Sequence, residues 1–380
     1  MTEKAKTPDQ NAHADWAKQV WLWPLEATRL ALNAYSQWFD EREPAPSRAS
    51  DQTPLAWTTP NAVALRLPSM HLRDFSCGSG GQPLLVCAPY TLHRALIADF
   101  ASGHSLVETL QESGVNRIYV TDWCSASPEM RYLSIDNYLA DLNVAIDEIG
   151  APVDLVGLCQ GGWLSLVYAA RFPGKVRRLV LAGSPIDVSV PSEISRMAAA
   201  LPQQTFDRLV QQADGIVSGG LMHQLWSRPI NLHDVEAALQ RDLGDGSDEA
   251  KALLDRFERW DRETLDLPGT YYLEATDWIF RENRIAKGLF VALGRLIDLS
   301  AVKVPVFLLA SESDKIVPGE QAFATARLLG TQSTWLECAE EPCDHLSLFM
   351  GRKVLSHSWR RIADWLQADI DGAARARISV

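Results

Sequence analysis

The sequence predicts an α/β protein built on a mostly parallel sheet with helices on both faces, and three observations carry that reading. From about residue 84, short apolar runs alternate with helical stretches, which is the pattern of strands joined by crossover helices. One of those runs leads straight into a G-x-C-x-G turn and then a helix. An acidic residue and a histidine follow that turn, each after a later apolar run.

Taken in order, the first dozen residues are polar, and two helix-like stretches follow, from Ala14 to about Trp23 and from Pro24 to about Phe39. Four of the thirteen tryptophans, Trp16, Trp21, Trp23 and Trp38, crowd into this region. The charged, proline-bearing stretch EREPAPSRAS reads as a linker, so residues 1–50 form a helical appendage to a main domain of residues 51–380. Within that domain LLVCA (Leu84 to Ala88), RIYVT (Arg117 to Thr121), VDLVGL (Val153 to Leu158), VRRLVLA (Val176 to Ala182) and VPVFLLA (Val304 to Ala310) are the expected buried strands. Helices are expected around Ser105 to Glu112, Ile135 to Ile149 and Gln160 to Arg171. From about residue 189 to 298 the rhythm breaks into helical, polar sequence with no sheet strand, the expected cap over one end of the sheet.

Composition bounds the function. At 380 residues, 47% hydrophobic and 22% charged, the chain can bury a large core. Its net charge of −12 disfavours nucleic acid and anionic membranes. Six cysteines (Cys77, Cys87, Cys124, Cys159, Cys338, Cys343) show no CxxC and no metal-ligand spacing, so they are expected as reduced thiols in a cytoplasm, with no metal and no cofactor. Neither a secretory signal nor an apolar run of membrane-spanning length is present.

The chemistry centres on Gly157-Leu158-Cys159-Gln160-Gly161-Gly162. A tight strand-to-helix turn crowds its neighbours, so Gly157 and Gly161 supply room that a Cβ would fill. The turn lifts the Cys159 sulfur above the strand ends and beside a helix N-terminus, whose partial positive charge favours thiolate. Asp314, in Ser-Glu-Ser-Asp-Lys after a buried strand, and His345, in Cys-Asp-His-Leu, complete a nucleophile, acid and base in the chain order of the α/β-hydrolase fold. His345 is expected to take the thiol proton, and Asp314 to fix the imidazole tautomer. The Gln160 N–H is one expected oxyanion donor, and Tyr90 the other, because its neighbour Pro89 has no N–H.

Other residues compete for these roles. Asp344 adjoins His345 and is a rival orienting acid. His93 and His104 flank the oxyanion loop as surface or supporting residues, and Cys87 reads as a buried strand residue. Cys343 lies close to His345 in sequence without an evident partner. Asp122 is a buried anchor or a pocket residue, and Asp187 begins the cap as a structural group.

A cysteine elbow in this setting resembles the polyhydroxyalkanoate (PHA) enzymes, the PHA synthases and intracellular PHA depolymerases, over about residues 84–366. Gly157 to Gly162, the run Tyr168 to Val176 and Ser105-Leu106-Val107 are similar to a small synthase. More numerous segments resemble an intracellular depolymerase: Val86 to Pro89, Val120 to Trp123, Gly183 to Asp187, Tyr271 to Glu274, Asn283 to Gly288 and His345 to Arg352. Two positions depart from these patterns. Gly161-Gly162 is unexpected in a depolymerase, and synthases usually carry histidine where Lys315 follows Asp314. By position the resemblance places the triad on Cys159, Asp314 and His345. It implies hydrolysis of intracellular poly(3-hydroxyalkanoate) or its oligomers through an acyl-cysteine, with a synthase polymerising 3-hydroxyacyl-CoA as the alternative. A third reading, from another class, is a granule-associated binding protein that uses the tryptophan-rich appendage. The resemblance further implies a polyester or 3-hydroxyacyl substrate, attachment to a PHA granule surface in the cytoplasm, and a homodimer as a further possibility.

Overall fold

Runs such as LLVCA are apolar at every position, so a strand made from one must be covered on both faces. The computed structural model, which describes residues 54–226 and 248–369, builds the sheet that this requires. In chain order its elements are β1 (Ala62–Arg66), β2 (Met70–Asp74), β3 (Leu84–Cys87), α1 (Leu106–Glu112), β4 (Ile118–Trp123), α2 (Ile135–Ile149), β5 (Val153–Leu158), α3 (Gln160–Arg171) and β6 (Val176–Ala182). Then follow α4 (Glu193–Ala200), α5 (Gln203–Gln212), α6 (Gly219–Trp226), α7 (Asp248–Arg262), α8 (Gly269–Glu274), β7 (Val306–Ser311), β8 (Leu336–Glu341) and α9 (Arg360–Gln367). The eight strands lie in the order β1-β2-β4-β3-β5-β6-β7-β8. Strand β2 is antiparallel to both of its neighbours, and every other pairing is parallel.

The pleat sends alternate side chains to two cores. Leu85, Leu155, Leu179 and Leu308 join Leu139, Leu142, Trp163 and Tyr168 from α2 and α3 on one face. Leu84, Val156, Val180 and Phe307 join Leu106, Leu110, Trp359 and Ile362 on the other. Each such fully buried aliphatic side chain contributes about 1.5–3 kcal/mol relative to exposure. Helix α1 starts where the Ser105 hydroxyl accepts the Glu108 N–H. A capping box of Ser134 and Asn137 starts α2, which ends at Gly150 with φ 94°.

Strands β5 and β6 and helices α2 and α3 coincide with their expected ranges, and β3, β4, β7 and α1 begin or end one or two residues away. Sequence reasoning did not anticipate the β1-β2 hairpin at the sheet edge, whose short strands alternate only weakly in polarity. The stretch 189–298 contributes no strand to the main sheet among its described residues, as expected. It does hold two small antiparallel ladders, Ile216–Val217 with Leu267–Pro268 and Val291–Ala292 with Arg295–Leu296. Runs of two residues are too short to register as a periodic pattern. The tryptophan-rich appendage and linker lie outside the described residues, as does part of the stretch between β6 and β7. No helix among the described residues is long and apolar enough to cross a membrane.

Candidate active site

The C-terminal ends of β5, β7 and β8 point to one edge of the sheet, where ligand sites of open α/β folds lie. Strand β5 runs into Cys159, which has φ 48° and ψ −117°, a conformation that a residue with a Cβ seldom adopts. The surrounding packing holds it there. The Cys159 N–H donates to the Ala182 carbonyl at 2.9 Å, and its own carbonyl accepts the Gly162 N–H at 2.9 Å. A Cβ on Gly157 would sit 2.4 Å from Gly162 Cα, and one on Gly161 would sit 2.1 Å from the Cys87 carbonyl oxygen. The second glycine of the pair, Gly162, is equally constrained, since a Cβ there would fall 1.7 Å from Ser184 Oγ. Cys159 is the residue before α3, beside its unpaired N–H groups.

Asp314 is supplied by the loop after β7 and His345 by the loop after β8. Asp314 Oδ1 accepts the N–H groups of Ile316 and Val317, both at 2.8 Å, which leaves Oδ2 to accept from His345 Nδ1 at 2.6 Å. Both side chains are buried. Phe349 packs edge-on against the imidazole with ring centroids 5.2 Å apart. The two loops are tied together by the Ser311 hydroxyl donating to the Cys343 carbonyl, and by the Ser313 N–H donating to the same oxygen at 3.2 Å. Burial works against a charged imidazole, but the Asp314 carboxylate and the hydrogen-bonded Cys159 sulfur outweigh it and hold the His345 pKa well above its ordinary 6.5. The structure thus brings Cys159, His345 and Asp314 together.

Cys159 and His345 border a cavity of about 150 Å³. Tyr90, His93 and Gln160 line it together with Cys159 and His345, and Met222, Tyr271 and Tyr272 reach it from the segment between β6 and β7. The Gln160 side chain accepts from Trp163 Nε1 at 3.0 Å, so its amide turns back onto α3. The loop carrying Tyr90 is fixed through carbonyls: Trp123 Nε1 donates to Ala88 O at 2.8 Å, and the Tyr271 hydroxyl donates to Tyr90 O at 3.3 Å. The Tyr90 phenol is itself buried, accepting from Tyr138 at 3.1 Å and donating to the Cys124 carbonyl at 3.2 Å. Its place here is therefore structural at the side chain, and any part it plays toward an oxyanion belongs to the backbone.

The rival residues fall elsewhere. Asp344 is turned away from the imidazole: its carboxylate accepts the Ser347 N–H and hydroxyl, both at 2.9 Å. Asp122 is a buried anchor that pairs with Arg73 at 2.9 Å. Asp187 holds the start of the helical segment, accepting from Asn283 at 2.9 Å, from Ser189 and from Arg327. Burial alone would raise its carboxyl, but those bonds bring it down to about 2. Burial pushes the thiols of Cys87 and Cys343 up to about 12, so neither resembles a nucleophile. His104 Nδ1 donates to the Met350 carbonyl at 2.9 Å, away from the cavity.

Sequence reasoning missed the roles of Tyr138 and Tyr271, whose rings stack around Tyr90 at 4.7 and 5.1 Å, although the Tyr271 segment had been singled out as a motif. It also missed a cluster beside the cavity, in which His93 and His223 both meet the carboxylate of Asp261. Residues this far apart in sequence carry no local signal.

Comparison with known proteins fits this geometry. A family model for the alpha/beta hydrolase fold matches residues 93–351, about two thirds of the chain. The chain is 29% identical over 297 residues to the poly(3-hydroxyalkanoate) polymerase subunit PhaC of Synechocystis, covering 75% of this chain and 78% of that protein. It is 26% identical to the protein of the same name from Allochromatium vinosum, covering 75% and 81% respectively. Among solved structures, a monoacylglycerol lipase from Paleococcus ferrophilus aligns with a TM-score of 0.50 and 16% identity over 78% of this chain and 98% of the lipase. A bromoperoxidase from Bacillus anthracis gives 0.50 and 17% over 82% of this chain and all of the bromoperoxidase. At such identities these two speak to the fold alone. The relatives' names favour polymerisation, the alternative reading of the motifs, over the depolymerase reading that the more numerous segments had put first.

Proposed function

The chain belongs to the alpha/beta hydrolase fold family, and on that premise we propose that it is an acyltransferase that builds poly(3-hydroxyalkanoate) from 3-hydroxyacyl thioesters through an acyl-Cys159 intermediate. The carrying observation is the strained Cys159 elbow with His345 at its sulfur and Asp314 at the far side of the imidazole. In this reading the Cys159 thiol gives its proton to His345 and attacks the thioester carbonyl, and the thiol of the donor leaves. The imidazolium is stabilised by Asp314. The N–H groups of Gln160 and Tyr90 receive the oxyanion, worth about 10²–10³-fold in rate for each donor. A polymer-end hydroxyl then attacks the acyl-cysteine, returning Cys159 and lengthening the chain by one unit.

Transfer to a hydroxyl is placed ahead of hydrolysis because the relatives reported above are named polymerases. The triad alone does not distinguish the two acceptors. We further assign residues 1–50 to an appendage that meets the polyester, residues 51–380 to the catalytic domain, and about 189–298 to a cap over its cavity.

The test is the product of turnover. Purified protein given 3-hydroxybutyryl-CoA is expected to release CoA while an insoluble polyester grows, and Cys159→Ala is expected to stop both. Release of free hydroxy acid from amorphous polymer, with no polymer growth from the thioester, would overturn the polymerase reading in favour of hydrolysis. A fully active Cys159→Ala protein would overturn both.

A further inference from the structure

Three side chains that the proposed chemistry does not use converge beside the cavity. His93 comes from the loop after β3, three residues beyond Tyr90, while His223 lies on α6 and Asp261 on α7. His93 Nε2 is 3.3 Å from Asp261 Oδ1 and 3.1 Å from the Asp261 carbonyl oxygen, a bond an ion at Nε2 would replace, and His223 Nε2 is 2.9 Å from Asp261 Oδ2. One carboxylate thus faces two imidazoles, each through the same ring nitrogen and each at a different oxygen. All three donor atoms lie within 4.8 Å of one another.

A tetrahedral ion with ligand bonds near 2.0–2.1 Å sets its ligand atoms about 3.3 Å apart. The His93–Asp261 separation matches that value and the His223–Asp261 separation lies 0.4 Å below it, each at its own carboxylate oxygen, so a rotation of the Asp261 carboxylate and a small parting of the rings would admit such an ion. None of the three is exposed: His93 is 8% exposed, and the side chains of Asp261 and His223 are 13% and 23% exposed. The His93 ring is held by stacking on Trp260, with centroids 4.3 Å apart, and stands edge-on to His223 at 5.8 Å. His93, Trp260 and Met222 line the cavity, so a fourth coordination position has somewhere to open.

We infer that His93, His223 and Asp261 form a binding site for a divalent transition-metal ion of the zinc type, held by two imidazoles and one carboxylate. Two nitrogens and one oxygen suit zinc or cobalt and are a poor set for calcium or magnesium, which take six or more oxygens or keep their water. Bound there, the ion cross-links the loop that carries Tyr90 to two helices of the segment between β6 and β7. No assumption about the acyl-transfer reaction enters this inference.

The experiment uses the full chain stripped with a chelator and then titrated with zinc chloride by calorimetry, alongside metal analysis of the dialysed product. One zinc per chain is expected, and His223→Ala and Asp261→Asn are each expected to weaken binding at least 10-fold. Zinc should raise the thermal midpoint of the parent protein and leave that of either variant nearly unchanged. Because free thiols also take zinc, cobalt is the second probe: bound cobalt should show its d–d absorption without a thiolate charge-transfer band. Absence of binding, a thiolate band, or binding unchanged in both variants would each overturn the site. If either variant fails to fold, the cobalt spectrum of the parent protein decides alone.

Discussion

Two groups of side chains gather at the same cavity, one reaching it through Cys159 and His345 and the other through His93, and they are assembled in different ways. Cys159, Asp314 and His345 each follow the C-terminal end of a strand, in β5, β7 and β8, so a parallel sheet delivers them to one edge whatever the loops between contain. His93, His223 and Asp261 come from a loop and two helices, and only the packing of those helices brings them together. The first group is a consequence of topology, and the second of packing. The difference also accounts for the division among the sequence motifs. Asp187 and Asn283 bond each other, Glu274 accepts the Ile135 N–H at 2.7 Å at the start of α2, and Asp122 anchors Arg73. Several of the depolymerase-like segments therefore hold residues that support the scaffold, and scaffold resemblance would not fix which acceptor attacks an acyl group.

The largest expected effect tests the topological group. Asp314→Asn should lower acyl transfer about 10⁴-fold while leaving the fold intact. Its pH profile sharpens the point. His345 is held above its ordinary pKa, so its base form, and with it activity, rises only on the alkaline side of 6.5. Removing the Asp314 charge removes one cause of that shift, so the residual acid limb should move to lower pH. The corresponding stability has the opposite slope: the imidazolium–carboxylate pair contributes fully below about 6.5 and is lost as pH rises through the raised value. An acid limb that stayed in place in Asp314→Asn would separate Asp314 from the imidazole.

The packing of the segment between β6 and β7 is tested next, through stability. Asn283→Ala removes one partner of the buried Asp187 carboxylate and the acceptor of the Val188 N–H. It should cost about 1–3 kcal/mol in chemical denaturation, with little change in acylation of Cys159 by an alkylating or acylating probe. Equal losses in stability and in Cys159 reactivity would show that the two regions are coupled. The smallest effect is expected of Asp344→Ala, which loses the bonds to Ser347 and should cost about 1 kcal/mol with turnover unchanged. A loss of turnover comparable to that of Asp314→Asn would return Asp344 to the role of orienting acid.

Legibility followed the same division. Strands β5 and β6 and helices α2 and α3 were readable to the residue, because uniform apolar runs and 3.6-residue periodicity are local signals. The elbow was readable from its local Gly-x-Cys-x-Gly pattern between an apolar run and a helix, although Cys87 and Ser184, which Gly161 and Gly162 must clear, lie far along the chain, and His345 and Asp314 because each follows an apolar run in the expected order. The preference for Asp314 over Asp344 was readable, but its physical cause was not. It rests on which carboxylate the loops aim at the imidazole, and the N–H groups of Ile316 and Val317 settle that for Asp314. The aromatic cage of Tyr90, Tyr138 and Tyr271 joins residues up to 181 positions apart, and sequence offered the motif without the contact.

By itself, the sequence determined the fold class, the nucleophile and the chain order of acid and base, since these depend on local periodicity and on topology. Tertiary structure alone decided how the Asp314 carboxylate is aimed, the cage around the Tyr90 loop and the meeting of His93, His223 and Asp261. Those depend on side chains from distant segments filling one volume, and close packing is a property of the assembled core that no single segment encodes.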